Sequence, residues 1–389
     1  MEKTEVLTGI KPVRKHVDVK GKLRTYTMVF ALLAIWGIFQ YATGGAFLEP
    51  RNLSNLLRQM SVTGILAVGM VLIIVARHID LSVGSVVCFL GAIMAILTTN
   101  HGVSPGLAVL ITMAAGLLIG VFQGYLASYQ GVPSFIVTLG GMMAFRGASM
   151  WITSNSTIPL QENWILGTGT AYLDARWGWV LTAVGVLFMG YTMLRRHQAS
   201  IKYGFDAGSM GSLAIKIGGY SALLVGFMSV MGSYQGIPVP VLIMLALMLA
   251  IDFAATKTTW GRHVYAIGGN IDAARLSGIN VRFKTLAVFM LMGVLSAIGG
   301  VVLTARVGSA SPDAGQLLEL DAIASCVIGG TSLLGGKGSI PGALLGALVM
   351  ESLNNGMSLA NIEPFWQYVV KGLVLVTAVW ADIVSQDRE

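Results

Sequence analysis

The sequence predicts an all-α, polytopic membrane protein with about ten to twelve transmembrane helices, some of them broken or re-entrant. Three observations carry this. Charged residues are 11% of the 389, against 55% hydrophobic residues, whereas a soluble domain is about a quarter charged. The 25 Lys+Arg and 18 Asp+Glu cannot clothe a soluble surface of this size, and the mean hydropathy is +0.75. The apolar runs are continuous over about 17–23 residues, the length of a helix that crosses a bilayer. A β-barrel would instead alternate apolar and polar residues. These features exclude an ordinary soluble enzyme, a disordered chain and a fibre.

The first segment, residues 1–25, reads as a basic cytoplasmic arm. It holds Lys3, Lys11, Arg14, Lys15, Lys20, Lys22 and Arg24 against Glu2, Glu5 and Asp18. Basic residues just before an apolar span are what the positive-inside rule requires, so nucleic acid is not the expected partner. The apolar run from Tyr26 to Tyr41 exceeds the roughly 7–15 residues of a signal-peptide core and reads as an uncleaved first helix.

Twelve candidate spans follow, at 26–44, 61–77, 82–99, 106–128, 133–153, 178–194, 212–231, 236–256, 283–305, 320–335, 339–358 and 365–381. They make residues 26–381 one transmembrane domain, with a short tail at 382–389. Segment 52–60 reads as a loop or an interfacial turn. Segment 320–335 is short and Gly-rich and reads as a broken helix. The basic groups Arg195–Arg196–His197–Lys202, Lys257–Arg262–His263–Arg275–Arg282–Lys284 and Lys337 all follow even-numbered spans. With the N-terminus inside, each lies inside, and so does the C-terminus.

Among the 49 glycines, Gly116, Gly120 and Gly124 recur every fourth residue, and Gly342 and Gly346 do the same. Such rows let helices approach closely in lipid. Cys88 and Cys326 lie in apolar surroundings and read as buried thiols. No CxxC, HExxH or His cluster points to a metal, and no cofactor is expected. A P-loop needs GxxxxGK[ST]. Around Gly336-Lys337, Thr331 replaces the first Gly and Gly338 the last Ser/Thr, so ATP would have to be handled by another chain.

Three segments rise above composition. In 79–85, Asp80 is followed by Ser82, Gly84 and Ser85 between two apolar runs. Ionisable groups at membrane depth face a cavity or a partner. The segment is either a helix cap accepting from backbone N–H groups two or three residues on, or a broken helix beside a pathway. In 319–336, Glu319 and Asp321 open an apolar stretch that runs to Ser325, Thr331 and a glycine cluster. A capped, glycine-packed helix and a pathway segment are again the alternatives. The two acidic openings are candidates for equivalent places in an internal repeat. In the basic loop 257–282, Asn270 suits an N-cap, Asp272, Ala273 and Ala274 a first turn, and Gly278 a C-cap. This predicts a helix of about two turns outside the membrane, either a docking knob or a solvated loop near anionic lipid.

Among the other charges, Arg146 reads as a structural or snorkelling group. Glu351 and Lys371 lie inside apolar runs and are expected to pair with one another. Trp177, Trp179 and Tyr172 suit an interfacial belt.

The motif Asp272-Ala273-Ala274, three residues, then Gly278 resembles the EAA loop of ABC importer permeases, with Asp272 standing where that pattern has Glu. Segments 265–280, 79–85 and 320–336 together resemble the monosaccharide (ribose/xylose) branch of those permeases. So do 52–57, 63–70, 132–140 with Phe145-Arg146-Gly147, 352–357 and Phe365-Trp366-Gln367-Tyr368. The match runs from about 45 to 380 and is nearest to xylose-type members. Spans six and seven look additional to the core of shorter ribose permeases. The resemblance implies a fold of the ABC importer permease type, working as a homodimer with two ATP-binding subunits below and a periplasmic sugar-binding protein above. It places ATPase coupling on Gly268, Gly269, Asn270, Asp272, Ala273, Ala274, Arg275, Ser277 and Gly278. Candidate pathway groups are Asp80, Ser82, Ser85, Asp321, Ser325 and Thr331. The competing readings are an ion-coupled secondary transporter, which needs no cytoplasmic knob, an ABC permease for branched-chain amino acids, and a membrane enzyme, for which five scattered His provide no catalytic cluster.

Overall fold

The computed structural model describes residues 19–161, 164–205 and 208–386. Most of the basic arm and the last three residues of the tail lie outside them. The chain runs α1 (Val19–Ala42), a 3-10 turn (Ala46–Leu48), α2 (Pro50–Val75), α3 (Val83–Thr99), α4 (Pro105–Ser128), α5 (Ser134–Ile152), β1 (Ile158–Pro159), α6 (Trp164–Thr170) and β2 (Tyr172–Leu173). It continues α7 (Ala175–Lys202), α8 (Met210–Gly232), β3 (Ile237–Pro238), α9 (Val239–Lys257), α10 (Thr259–Gly269), α11 (Ile271–Leu276) and α12 (Val281–Val307). It closes with β4 (Ser309–Ala310), α13 (Leu318–Ile328), α14 (Ile340–Leu359) and α15 (Pro364–Gln386). Eight of these helices are long and apolar enough to cross a membrane: α2, α4, α5, α7, α8, α9, α12 and α15. Residues Met28–Ala42 and Val83–Thr99 form shorter apolar helices. The fold is the polytopic helical one that the composition predicts.

The axis of the bundle is α2. Its 26 residues extend over about 39 Å, and every residue from Ser61 to Val75 is buried. A helix apolar all round belongs inside, not at the lipid face. The expected span 61–77 therefore starts eleven residues earlier, at Pro50. Segment 52–60 is not a loop: Pro50 occupies the first helical turn, where a missing N–H costs nothing. The chain then walks along α2 through α12, α14, α9 and α13, which all pack on it.

The glycine rows set the closest approaches. A methyl group at Gly116 would lie 2.5 Å from Gly293 O, and one at Gly120 would strike Phe289 O, so α4 and α12 pack backbone to backbone. On the other side, Gly342 and Gly346 let α14 lie against Gly329 O and Ser325 O of α13. The helices α7 and α8 pack mainly on each other and are anchored through Met228 and Met231, which fits their reading as additions to a core. Their outer residues, such as Leu187 and Leu223, are exposed, and an apolar outer face of this kind is stable only in lipid.

Span ten is broken, as its glycines suggest. After α12 the chain turns through Gly308 (φ +77°), pairs β4 with β1, and enters the bundle as successive turns over 312–317. There Arg146 Nη1 donates to Pro312 O (2.8 Å) and Ala314 O (2.9 Å). Arg146 lies twelve residues, roughly 18 Å, along α5, so this loop reaches well inside before α13 starts. Its 11 residues are too few to cross a bilayer. Replacing Gly346 with Leu is expected to destabilise the bundle by about 1–3 kcal/mol or more through overpacking, seen as loss of the monodisperse peak in detergent gel filtration. Gly190→Leu, with open space around it, is expected to leave that peak in place.

Candidate functional site: the coupling helix and the broken-helix junction

Residues 270–278 fold as their types dictate. Asn270 has extended backbone, and its Oδ1 accepts from Asp272 N (3.0 Å) and Ala273 N (2.9 Å). Asp272 then stands in the first turn and Arg275 in the last, 3.7 Å apart, each on the favourable side of the helix dipole. Gly278 follows at φ +80°, and Ser277 Oγ donates to Ala273 O (2.8 Å). The result, α11, has six residues, a little under two turns. Ala274 is buried toward the protein, whereas Asp272, Ala273, Arg275 and Leu276 face outward, Leu276 being 88% exposed. Leu276 thus stands as a large apolar side chain on the outer face of a capped helix.

The inner attachment of this helix joins Gly268 and Gly269 of the expected coupling set to Arg77, which the sequence reading gave no role. Arg77 Nε donates to Gly268 O (2.7 Å) and its Nη2 to Gly269 O (3.0 Å). Gly336 N donates to Val75 O (2.9 Å), and Tyr265 Oη to Gly338 O (2.9 Å). Gly268 cannot carry a side chain, since a methyl there would overlap Val75 O. Arg77 holds φ +65°, a conformation costly for a non-Gly residue that persists only where its surroundings impose it. Three elements thus meet at one node: the end of α2, the α10–α11 corner, and the glycine loop after α13. The signal available in the sequence was a lone Arg at the end of an apolar span. Beside it, His78 packs on Phe289, and burial lowers its pKa to about 4.

The two acidic segments follow different local rules. Asp80 lies outside α3, where its Oδ1 accepts from Ser82 N (2.8 Å) and Ser82 Oγ (2.7 Å). Gln123 Nε2 in turn donates to Ser82 Oγ (2.8 Å), a contact no sequence pattern announced. Asp321 lies inside the first turn of α13 and caps nothing. The two aspartates thus differ in local hydrogen bonding. The segments do meet, through other residues: a methyl on Gly84 would collide with Glu319 Oε2. Ser325 Oγ is spent on Asp321 O (2.6 Å). Ser85 and Thr331 are buried, and Thr331 Oγ1 has no hydrogen-bond partner among the described residues.

Lys371 is paired otherwise than expected. Its Nζ lies 3.0 Å from Asp321 Oδ2, not on Glu351. Glu351 accepts from Thr63 Oγ1, and Asn354 Nδ2 bridges Asp321 Oδ2 (3.3 Å) and Glu351 Oε2 (3.4 Å). The reason is reach: Asp321 on the half-helix faces α15, while Glu351 on α14 faces α2. Tyr172 is likewise turned inward onto Arg58, leaving Trp177 and Trp179 exposed. Both cysteines are buried and unpaired.

The family model described as "Branched-chain amino acid transport system / permease component" matches residues 52–379. The chain belongs to this family. It is 45% identical to the xylose transport system permease protein XylH of Escherichia coli K12 over 94% of this chain and 93% of that one. It is 44% identical to XylH of Haemophilus influenzae, covering 94% and 98%. With the ribose import permease protein RbsC of Bacillus subtilis it shares 36%, covering 95% of each. No solved structure matches it significantly. A permease of this kind is a transport subunit of the bacterial inner membrane, served by separate ATP-binding and periplasmic binding proteins.

Removing one partner of a buried ion pair leaves the other charge stranded, at about 3–5 kcal/mol. Asp321→Asn and Lys371→Met are each expected to lower thermal stability in detergent more than the two together. A double-mutant cycle should find coupling of about 0.5–3 kcal/mol for Asp321–Lys371. A larger coupling for Glu351–Lys371 would contradict the geometry.

Proposed function

We propose that this chain is the membrane permease of an ATP-driven monosaccharide importer, with xylose as its cargo, and that it works as a homodimer with two ATP-binding subunits. In this reading both termini and α11 are cytoplasmic, and a periplasmic sugar-binding protein docks on the opposite face. The observation that carries it is α11, a capped helix whose outward face is unpartnered and whose base is tied to α2 and to the loop after α13. The identities to XylH support the sugar reading over branched-chain amino acids, despite the wording of the family description.

Closure of the ATPase pair would push on Leu276 and Asp272. Through Arg77, Gly268 and Gly336 that force reaches the end of α2 and the base of α13. The half-helix would shift against the first turn of α3. Asp80, Ser82, Ser85, Asp321, Ser325 and Thr331 would then be exposed to the solute as the junction opens. Weak polar contacts suit this task, because tight binding within a pathway slows release.

ATP-dependent uptake of D-xylose by proteoliposomes holding the permease, its ATPase and its binding protein tests this. Uptake is expected to survive collapse of the proton gradient. Leu276→Asp and Arg77→Ala are each expected to cut it at least about tenfold, a loss of roughly 1.4 kcal/mol of coupling. Undiminished uptake by both variants, or uptake abolished by the protonophore, would remove the reading.

A further inference from the structure

At the end of α2 opposite α11, about 39 Å along the helix axis, lies a cavity of about 410 Å³. That is within the roughly 300–1,000 Å³ of small-molecule sites. Glu49, Arg51, Asn52, Asn55, Arg58, Tyr172 and Tyr234 supply its polar lining. None of them entered the sequence-based set of pathway residues.

The hydrogen-bond inventory of this lining defines what it accepts. Arg58 is spent: its Nε and Nη2 donate to Gly169 O (3.2 and 3.0 Å), and its Nη1 to Tyr172 Oη (3.4 Å). Its guanidinium also lies 5.7 Å from the Tyr172 ring centroid. This cation builds the wall, while the exposed Arg51 and Glu49 of the same lining give it one accessible charge of each sign, which selects neither a net anion nor a net cation. Asn52 uses both amide protons, on Phe47 O (2.8 Å) and Asn355 Oδ1 (2.9 Å). Its Oδ1 is left as an acceptor. Tyr172 Oη accepts from Arg58 and from Ser54 Oγ (3.4 Å), which leaves its own proton to donate. Asn55 is exposed and, among the described residues, has no side-chain hydrogen bond. It offers both a donor and an acceptor. The Tyr234 ring stands edge-to-face with Tyr172, centroids 5.9 Å apart at 81°, and is 37% exposed.

A neutral ring bearing adjacent hydroxyls matches this set. Each hydroxyl both donates and accepts, so it can satisfy Asn52 Oδ1, the Tyr172 proton and the Asn55 amide in turn. Its C–H face can lie on an aromatic ring. An apolar amino-acid side chain would find little to contact, since Ala46 and Leu359 are the apolar members of the lining. Below the cavity the polarity continues inward. Thr63 of α2 donates to Glu351, and Glu351 leads through Asn354 to Asp321 and Lys371.

We infer that this cavity is an outer transit site for the monosaccharide, the first place on the permease to hold the sugar after the binding protein releases it. The inference rests on the importer reading above. The site acts by positioning a neutral polyol through Asn52, Asn55 and Tyr172, with the Tyr234 ring as its platform.

The test uses D-xylose as probe. Saturation-transfer NMR on the full-length permease alone, in nanodiscs, is expected to show sugar contact. Asn55→Ala/Tyr234→Ala is expected to abolish that contact, and Tyr234→Phe to retain it. In the complete complex the double variant is expected to lower D-xylose uptake at least about tenfold, the effect of one to two lost hydrogen bonds and a lost platform. Its affinity for the binding protein should stay within about twofold. Both residues are exposed, so folding is not at stake, and Trp177→Ala, on the same face outside the cavity, serves as control. Full uptake by the double variant would overturn the site. So would a parallel fall in binding-protein affinity, which would make the cavity a protein-docking surface. If the unmutated complex moved no monosaccharide at all, the importer reading itself would fall, and that result needs no variant.

Discussion

The carbonyl of Val75 holds this architecture together where it matters. It ends the most deeply buried helix of the bundle, and it accepts from Gly336 N at 2.9 Å while Gly268 lies against it with no room for a methyl group. Arg77, two residues on, spans the same gap with two further bonds. A helix end leaves carbonyls without intrahelical partners. Here the helix end takes one donor from the glycine loop and, through Arg77, gives two to the α10–α11 corner, and so ties both to the axis. Backbone groups at van der Waals distance transmit displacement with little give, because close-packed interiors are stiff. A push on α11 therefore has a rigid route to α2 and to the loop beneath α13.

That route matters because α13 is a short helix whose first turn depends on directional bonds. It has 11 residues, starts from an αL residue with no side-chain cap, and presents two acidic side chains to its own positive end. The dipole favours those charges. It does not satisfy all their oxygens: Glu319 Oε2 and Asp321 Oδ1 have no hydrogen-bond partner among the described residues. The fold compensates from three directions, with Arg146 clamping the descending backbone, Lys371 on Asp321, and Asn354 linking Asp321 to Glu351. The later α13 residues Ala322, Ile323, Cys326 and Val327 are packed in the main core, so the directional bonds at its first turn are what a displacement would exchange.

Much of this was readable from residue types alone. Apolar run length located the spans, and the Asn270–Asp272–Gly278 pattern placed a capped helix in the basic loop. Glycine spacing announced the α4–α12 and α13–α14 contacts. What failed did so for identifiable reasons. Segment 52–60 carries Arg58 and polar amides and so reads as loop. Its polarity is instead accommodated at one end of a long helix, where it lines a cavity. Glu351 and Lys371 share apolar runs, but pairing depends on which face of each helix turns inward, and run length carries no facing information. Arg77, Gln123 and Arg58 each act on partners more than 40 residues away, and no local pattern encodes such meetings.

The placement of buried charge separates two tasks that one row of polar residues could otherwise serve. A charge buried in one fixed pair specifies geometry, and its removal is costly because the partner stays behind. Asp321–Lys371 and Arg146 with its two carbonyls belong to this kind, and they sit where the chain is broken. Neutral groups with unused hydrogen-bond capacity specify a ligand, and they collect at the opposite end, where Asn52, Asn55 and Tyr172 surround a cavity. In the importer reading proposed above, energy would enter through α11, far from that cavity, and the two ends need not touch for one to govern the other. They need only share α2, whose first turns border the cavity and whose last carbonyl anchors the coupling corner. A helix buried without a break from Met60 to Val75 fits that requirement.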